Sequence, residues 1–107
     1  MRKIYVDDSR VVAFKEAAEA GYNCVRTYSQ CVMLLSVFKS VDVINLDYDL
    51  GESKTGLDIL KYIVNNNIQV KEIYIHSTHT EGVRMMEKYI FNNLQHTLYT
   101  YSPALDE

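Results

Sequence analysis

Along the chain the apolar positions switch repeatedly between two spacings, one suited to strands and one to helices. Residues 3–7 (KIYVD) form a short β-rich run that ends in acid. Residues 11–20 (VVAFKEAAEA) are helix formers, and Gly21 is a natural stop. Residues 23–28 (NCVRTY) read as a second strand. Ser29 is the candidate N-cap of a helix over 30–39, in which Cys31, Leu34, Leu35 and Phe38 share a face. Residues 42–47 (DVINLD) are a third strand, again ending in acid. After the loop YDLGESKT, Leu57, Leu60, Ile63 and Val64 mark a third amphipathic helix, which the run Asn65-Asn66-Asn67 ends. Residues 71–76 (KEIYIH) are a fourth strand. Thr80 is the candidate cap of a helix carrying Val83, Met86, Tyr89 and Ile90. Residues 97–101 (TLYTY) are a fifth strand, closed by Pro103.

Strands that alternate with helices of this length imply parallel βαβ units, because parallel neighbours need a crossover. The expectation is an α/β fold with helices on both faces of a fully buried sheet. Few residues follow Tyr101, so a fifth helix of normal length is not expected. The length of 107 residues fits a single domain spanning 1–107.

Eleven basic against fourteen acidic residues give a net charge of -3, which disfavours binding to a nucleic-acid backbone. No apolar run approaches the ~20 residues of a membrane helix, and MRKIYVDD has no signal-peptide core. Cys24 and Cys31 then read as reduced thiols, and the expected compartment is cytoplasmic.

In an open α/β sheet, function collects beyond the carboxyl ends of the strands. Here those ends carry Asp7-Asp8, then Asp47 with Asp49 close behind, then His76-Ser77-Thr78, then Tyr101-Ser102. If the first and third strands are neighbours, several carboxylates converge. Such a cluster needs a neutralising charge, and a hard divalent cation with oxygen ligands supplies one. Mg²⁺ fits, with Mn²⁺ as a substitute. The competing reading is that each Asp caps a helix or turn; it is strongest for Asp49, which opens a loop containing Gly51, and is fair for Asp8. Ser77 or Thr78 would offer a hydroxyl to a phosphoryl oxygen, or make a local turn. His76 reads as an acid or base, or as a packed core histidine, because alternation puts it opposite Ser77. Arg10 would clamp a phosphate as a fork of donors, or stay solvated. His79 is a second candidate acid, and Lys54 reads as a loop charge, or as a cation that would reach the acidic pocket. His76 and His79 also make an H-x-x-H, which suits a zinc site poorly on a strand end.

The order of these motifs resembles the receiver domain of response regulators, over residues 3–103. A divergent branch is more similar still, the cyclic-phosphate-processing receiver family, with V-D-D-x-R, L-D-x-D-L-G, T-G-x-D-x-L and H-S followed by a glycine and a methionine. This chain has Val6-Asp7-Asp8-Ser9-Arg10, Leu46-Asp47-Tyr48-Asp49-Leu50-Gly51, Thr55-Gly56-Leu57-Asp58-Ile59-Leu60, and His76-Ser77 with Gly82 and Met86 beyond. The resemblance implies a three-layer flavodoxin- or receiver-like fold, a five-stranded parallel sheet in the order 2-1-3-4-5 with four helices. It implies Asp7 and Asp8 as a metal-binding pair, Asp47 as phosphoacceptor and metal ligand, Asp49 as a carbonyl donor to the metal, and Ser77 as the switch hydroxyl. Receivers carry a lysine before the proline of the fifth strand, where this chain has Tyr101-Ser102-Pro103; His79 stands where an asparagine is expected.

The resulting expectation is a Mg²⁺-dependent domain that processes a phosphoester, such as a cyclic or terminal nucleotide phosphate, by phosphohydrolase or phosphodiesterase chemistry. The catalytic set would be Asp47, His76, Ser77 and Arg10. The alternatives are a signalling receiver phosphorylated on Asp47 by a phosphodonor protein, and a degenerate receiver that binds a protein through its fifth-strand edge, near Tyr99 and Tyr101.

Overall fold

The computed structural model describes residues 1–102. Its elements are β1 (Lys3–Val6), α1 (Val12–Glu19), β2 (Asn23–Val25), α2 (Tyr28–Phe38), β3 (Ser40–Leu46), α3 (Gly56–Asn65), β4 (Gln69–Ile75), α4 (Thr80–Asn93) and β5 (Leu98–Tyr101). The five strands form one parallel sheet in the order β2-β1-β3-β4-β5, as the pattern implied. Pro103 lies outside the described residues. Among those described, no helix is long and apolar enough to cross a membrane.

Register places the site. Val6 lies opposite both Val25 and Leu46, Leu46 opposite Ile75, and Ile75 opposite Tyr101. The residues that follow the three central strands, Asp7, Asp47 and His76, therefore emerge side by side at one edge of the sheet.

The two faces of the sheet differ. On one, Ile4, Val6, Ile44, Leu46, Ile73 and Ile75 pack with Leu35 of α2, Ile59, Leu60 and Ile63 of α3, and Met86 and Ile90 of α4. This is the main core, and its burial is the chief stabilising term. On the other, α1 stands alone: Tyr5 meets Phe14 edge-on at 6.4 Å and Tyr22 at 5.9 Å. Beyond α1 that face is open, with Glu72 and Tyr74 only half-buried and Leu98 and Thr100 exposed. The expectation of a sheet buried on both sides is thus corrected for β4 and β5. No fifth helix covers them among the described residues, and Glu72, Tyr74 and Thr100 occupy open positions beside the exposed Leu98.

Two helix caps also move. Thr27, not Ser29, caps α2 by accepting from the Gln30 amide at 3.1 Å. His79, not Thr80, caps α4, its Nδ1 accepting from the Gly82 amide at 2.9 Å. In α3 the Asp58 carboxylate reaches back to the Thr55 amide at 2.8 Å. The asparagine run then ends the helix, Asn67 taking a left-handed conformation at φ 52.

Candidate functional site

Asp7 is wholly buried, and the chain folds back over it. Its Oδ1 accepts from the Ser9 amide at 3.0 Å and the Arg10 amide at 3.1 Å. Its Oδ2 accepts from Arg10 Nη1 at 3.0 Å and His76 Nε2 at 3.1 Å. The aspartate that receives the turn's amides is thus Asp7, whereas the sequence offered Asp8 for a capping role. Burial alone would raise the Asp7 pKa, but the hydrogen bonds from His76, from the Arg10 and Ser9 amides and from the Arg10 side chain hold it well below the usual range.

Asp47 is also buried, and its Oδ2 accepts from the same Arg10 Nη1 at 3.0 Å. One guanidinium nitrogen therefore stands between two carboxylates on neighbouring strands. Arg10 is not a solvated surface residue; its side chain is only 13% exposed. Burial and the charge of Asp7 push the Asp47 pKa up, opposed by His76, a hydrogen bond from Ser77 and Arg10.

His76 and Ser77 leave β4 on opposite sides, yet both reach the cluster. His76 stacks flat on Tyr5, with ring centres 4.6 Å apart and planes 7° apart. Its Nε2 meets Asp7, and its Nδ1 meets the side-chain amide of Asn45. The ligand-type atoms of Asp7, Asp47 and His76 all lie within 4.8 Å of one another. Ser77 bonds Asp47 from the other side, and its Oγ accepts from the His79 amide at 3.1 Å.

A pocket of about 410 Å³ opens above, lined by Asp8, Ser9, Arg10, Asp47, Asp49, Ser77, Thr78 and His79. Asp7 and His76 are not in its wall. Asp8 packs against Gly51, where a Cβ would come within 2.8 Å of its Oδ2. Asp49 Oδ1 accepts from the Gly51 amide at 2.9 Å, the turn role its sequence position suggested. Lys54 does not reach the pocket; its Nζ sits 5.2 Å from the centre of the Tyr28 ring. His79 leans on Tyr48 with ring centres 4.7 Å apart.

Two motif glycines have plain causes. A Cβ on Gly56 would lie 2.2 Å from the Asp47 carbonyl oxygen. A Cβ on Gly82 would lie 2.3 Å from Cγ of Tyr48. Both spaces let the strand that carries Asp47 and the helices flanking it close up.

Sequence reasoning missed Arg26 and Asn45. Arg26 Nη1 donates to the carbonyls of Asp7 and Arg10, each at 3.1 Å, and pins the turn that carries the site. The available signal was a charged residue just past a strand end. For Asn45 it was an amide inside an otherwise apolar strand.

The donor set can be tested against a metal. Asp8, Asp47 and Asp49 offer carboxylate oxygens to one pocket, with Asp7 adding charge from behind, and Arg10 returns one positive charge from the pocket wall. Oxygen donors with excess negative charge fit a hard divalent cation. Asp8 and Asp47 would hold the ion from the pocket wall, with Asp49 beside them; Asp7, the other expected ligand, stands behind that wall with both oxygens accepting hydrogen bonds.

The sequence profile described as the cyclic-phosphate processing receiver domain matches residues 2–92. A search of curated proteins finds no match. Among solved structures, the signal receiver domain of a putative Luxo repressor protein from Vibrio parahaemolyticus superposes with a TM-score of 0.66 at 22% identity, covering 97% of this chain and 79% of that one. The signal receiver domain of a modulated diguanylate cyclase from Desulfovibrio desulfuricans, described as an example of alternate folding, gives 0.60 at 15% identity, covering 96% and 82%. At such identities the two structures establish a shared fold. The profile match, which spans most of the length and all four motifs, establishes more: this chain belongs to the cyclic-phosphate-processing receiver family.

Proposed function

We propose that the protein is a Mg²⁺-dependent phosphoesterase of small molecules, acting on a cyclic or terminal nucleotide phosphate. The observation that carries this reading is one pocket lined by Asp8, Asp47 and Asp49 together with Arg10, Ser77 and His79. Carboxylates that would hold a cation and donors that would hold a phosphate line one small space.

Mg²⁺, when bound, polarises the phosphoryl oxygen as a Lewis acid. The chain's own groups do the rest. Arg10 presents guanidinium N–H groups to a phosphate oxygen, and the Ser77 hydroxyl donates to another. Asp47, which lines the pocket, accepts a proton from the attacking water. As the new P–O bond forms, the ester P–O bond breaks, and the leaving oxygen takes a proton from solvent, which the open pocket admits. His79 accepts from Gly82 through Nδ1, which leaves Nε2–H as its donor toward that oxygen. Water attack suits this chain better than a lasting aspartyl phosphate, because no lysine precedes Pro103.

The test is hydrolysis of a 2′,3′-cyclic nucleotide by the full chain, followed by ³¹P NMR with Mg²⁺ and with EDTA. Metal-dependent turnover, abolished by Asp47→Asn, is the expected result. No turnover with Mg²⁺ or Mn²⁺ sinks the enzymatic reading. A second reading rests on the contact of Ser77 with Asp47: the same pair would bind a phosphoryl group transferred from a donor, as in a signalling receiver. A stable phosphoryl adduct on Asp47 from a small acyl phosphate, without turnover of esters, would favour it.

A further inference from the structure

We infer that His76 is a positioning residue rather than an acid or base, and that Asn45 aligns it so that Asp7 in turn fixes Arg10. This rests on the reading of Arg10 as the phosphate-binding group.

The first ground is access. His76 is 1% exposed and absent from the pocket wall, so a substrate in the pocket cannot meet its ring. Asp7 and Arg10 stand between them.

The second is that the ring has no free nitrogen. Nε2 donates to Asp7 Oδ2, and Nδ1 is taken by the Asn45 amide. Flat stacking on Tyr5 removes tilt. A proton shuttle needs an exchangeable face; this ring has contacts on every polar edge.

The third is what the chain of contacts ends on. Asp7 Oδ2 takes both His76 Nε2 and Arg10 Nη1. The carboxylate can hold the guanidinium in place only while its own rotation is stopped, and His76 is the side chain that stops it from behind. The arrangement of a ligand oriented by a histidine, itself oriented by an amide, is the supporting pattern seen around metal and phosphate sites. Tyr5, Asn45 and Tyr74 are direct neighbours across β1, β3 and β4. The row that supports the site is therefore built into strand register and not into loops.

The test uses three variants. His76→Gln keeps an N–H donor toward Asp7; His76→Leu keeps bulk and loses the donor. Asn45→Ala spares the ring and removes its aligner, and it carries the test should His76→Leu fail to fold. The first readout is the ¹⁵N NMR signal of the Arg10 guanidinium, which needs no turnover and no metal. In the parent and in His76→Gln it should show restricted rotation; in His76→Leu and Asn45→Ala it should become averaged. The second is affinity for inorganic phosphate, which should fall about tenfold or more in His76→Leu and hold within about threefold in His76→Gln. Where turnover is measurable, KM should rise with kcat largely kept. A restricted Arg10 signal in the variants without the donor or the aligner overturns the proposal. So does loss of kcat in His76→Gln with Arg10 still ordered, which would make His76 the acid or base. If esters are never hydrolysed, the Arg10 signal still decides this inference separately from the proposed function.

Discussion

Replacing Arg10 with alanine removes the cation that lies between Asp7 and Asp47. Each ion pair is 3.0 Å long. At an effective dielectric constant of about 20, a pair at that distance has a gross attraction of about 5 kcal/mol. Most of that is spent on desolvation, and the penalty for orphaning a buried charge is ~3–5 kcal/mol. Asp47 borders an open pocket, so water will relieve part of it, and we expect a loss of about 2–3 kcal/mol. For a domain of this size that lowers the melting temperature by roughly 10–15 °C. The variant should also respond more strongly to Mg²⁺, since a divalent ion can supply the missing charge without displacing a guanidinium. Saturation at a hundred times Kd contributes about 2.7 kcal/mol. Thermal unfolding followed by circular dichroism, in EDTA and in excess Mg²⁺, reads both effects. A loss under about 0.5 kcal/mol in EDTA would refute the bridging role of Arg10, as surface ion pairs give no more. Equal Mg²⁺ shifts in parent and variant would refute the shared position.

The two central carboxylates should move stability in opposite directions. Asp47 has a folded-state pKa above its unfolded one, so its charge costs stability at neutral pH and that cost fades as pH falls through the folded value. Asp47→Asn should therefore be more stable than the parent at pH ~7 in EDTA, with the gap closing toward the acid side, as urea titrations would show. Asp7 has a depressed pKa, so its contribution is full above the unfolded value near ~3.9 and is lost below it. Asp7→Asn should lower stability at neutral pH and flatten the acid limb of the same curve. Gly82→Ala should cost about 1–3 kcal/mol by driving a methyl into Tyr48, and Tyr48→Ala in the double variant should recover part of that in urea unfolding. Cys31 is fully buried and its thiol is pushed up to about 12 by burial, so mass spectrometry should find it unmodified after iodoacetamide treatment of the folded protein. Alkylation of Cys31 before unfolding would contradict its placement.

The sheet was legible because each strand is a short β-rich run and each central one stops at a residue that cannot be buried cheaply. That same stop marked Asp7, Asp47 and His76 as the candidates. What the letters could not say is which of two adjacent aspartates turns inward. That depends on the backbone of Ser9 and Arg10, whose amides converge on Asp7. Cap positions slipped because Thr27 and Ser29 are both good caps, and because a histidine nitrogen serves at 79 where a hydroxyl at 80 was the obvious choice. Arg26 and Asn45 escaped notice since their partners are far away in sequence, 16 and 19 residues for the one and 31 for the other. Burial on both faces was over-read for β4, which has one packed face plus a half-buried second one where the Tyr74 O–H donates to Glu72 at 2.8 Å.

Strand β5 pairs on one side only, and the Tyr101 hydroxyl donates to the Ser77 carbonyl at 3.0 Å. An edge element this short opens by local fluctuation long before the molecule unfolds. Each such opening releases the tether on the loop that carries Ser77. Hydrogen exchange at the sheet's outermost rung and the sharpness of the pocket's hydroxyl wall are thus two faces of one equilibrium, and anything that docks along that rung would tune the pocket without entering it.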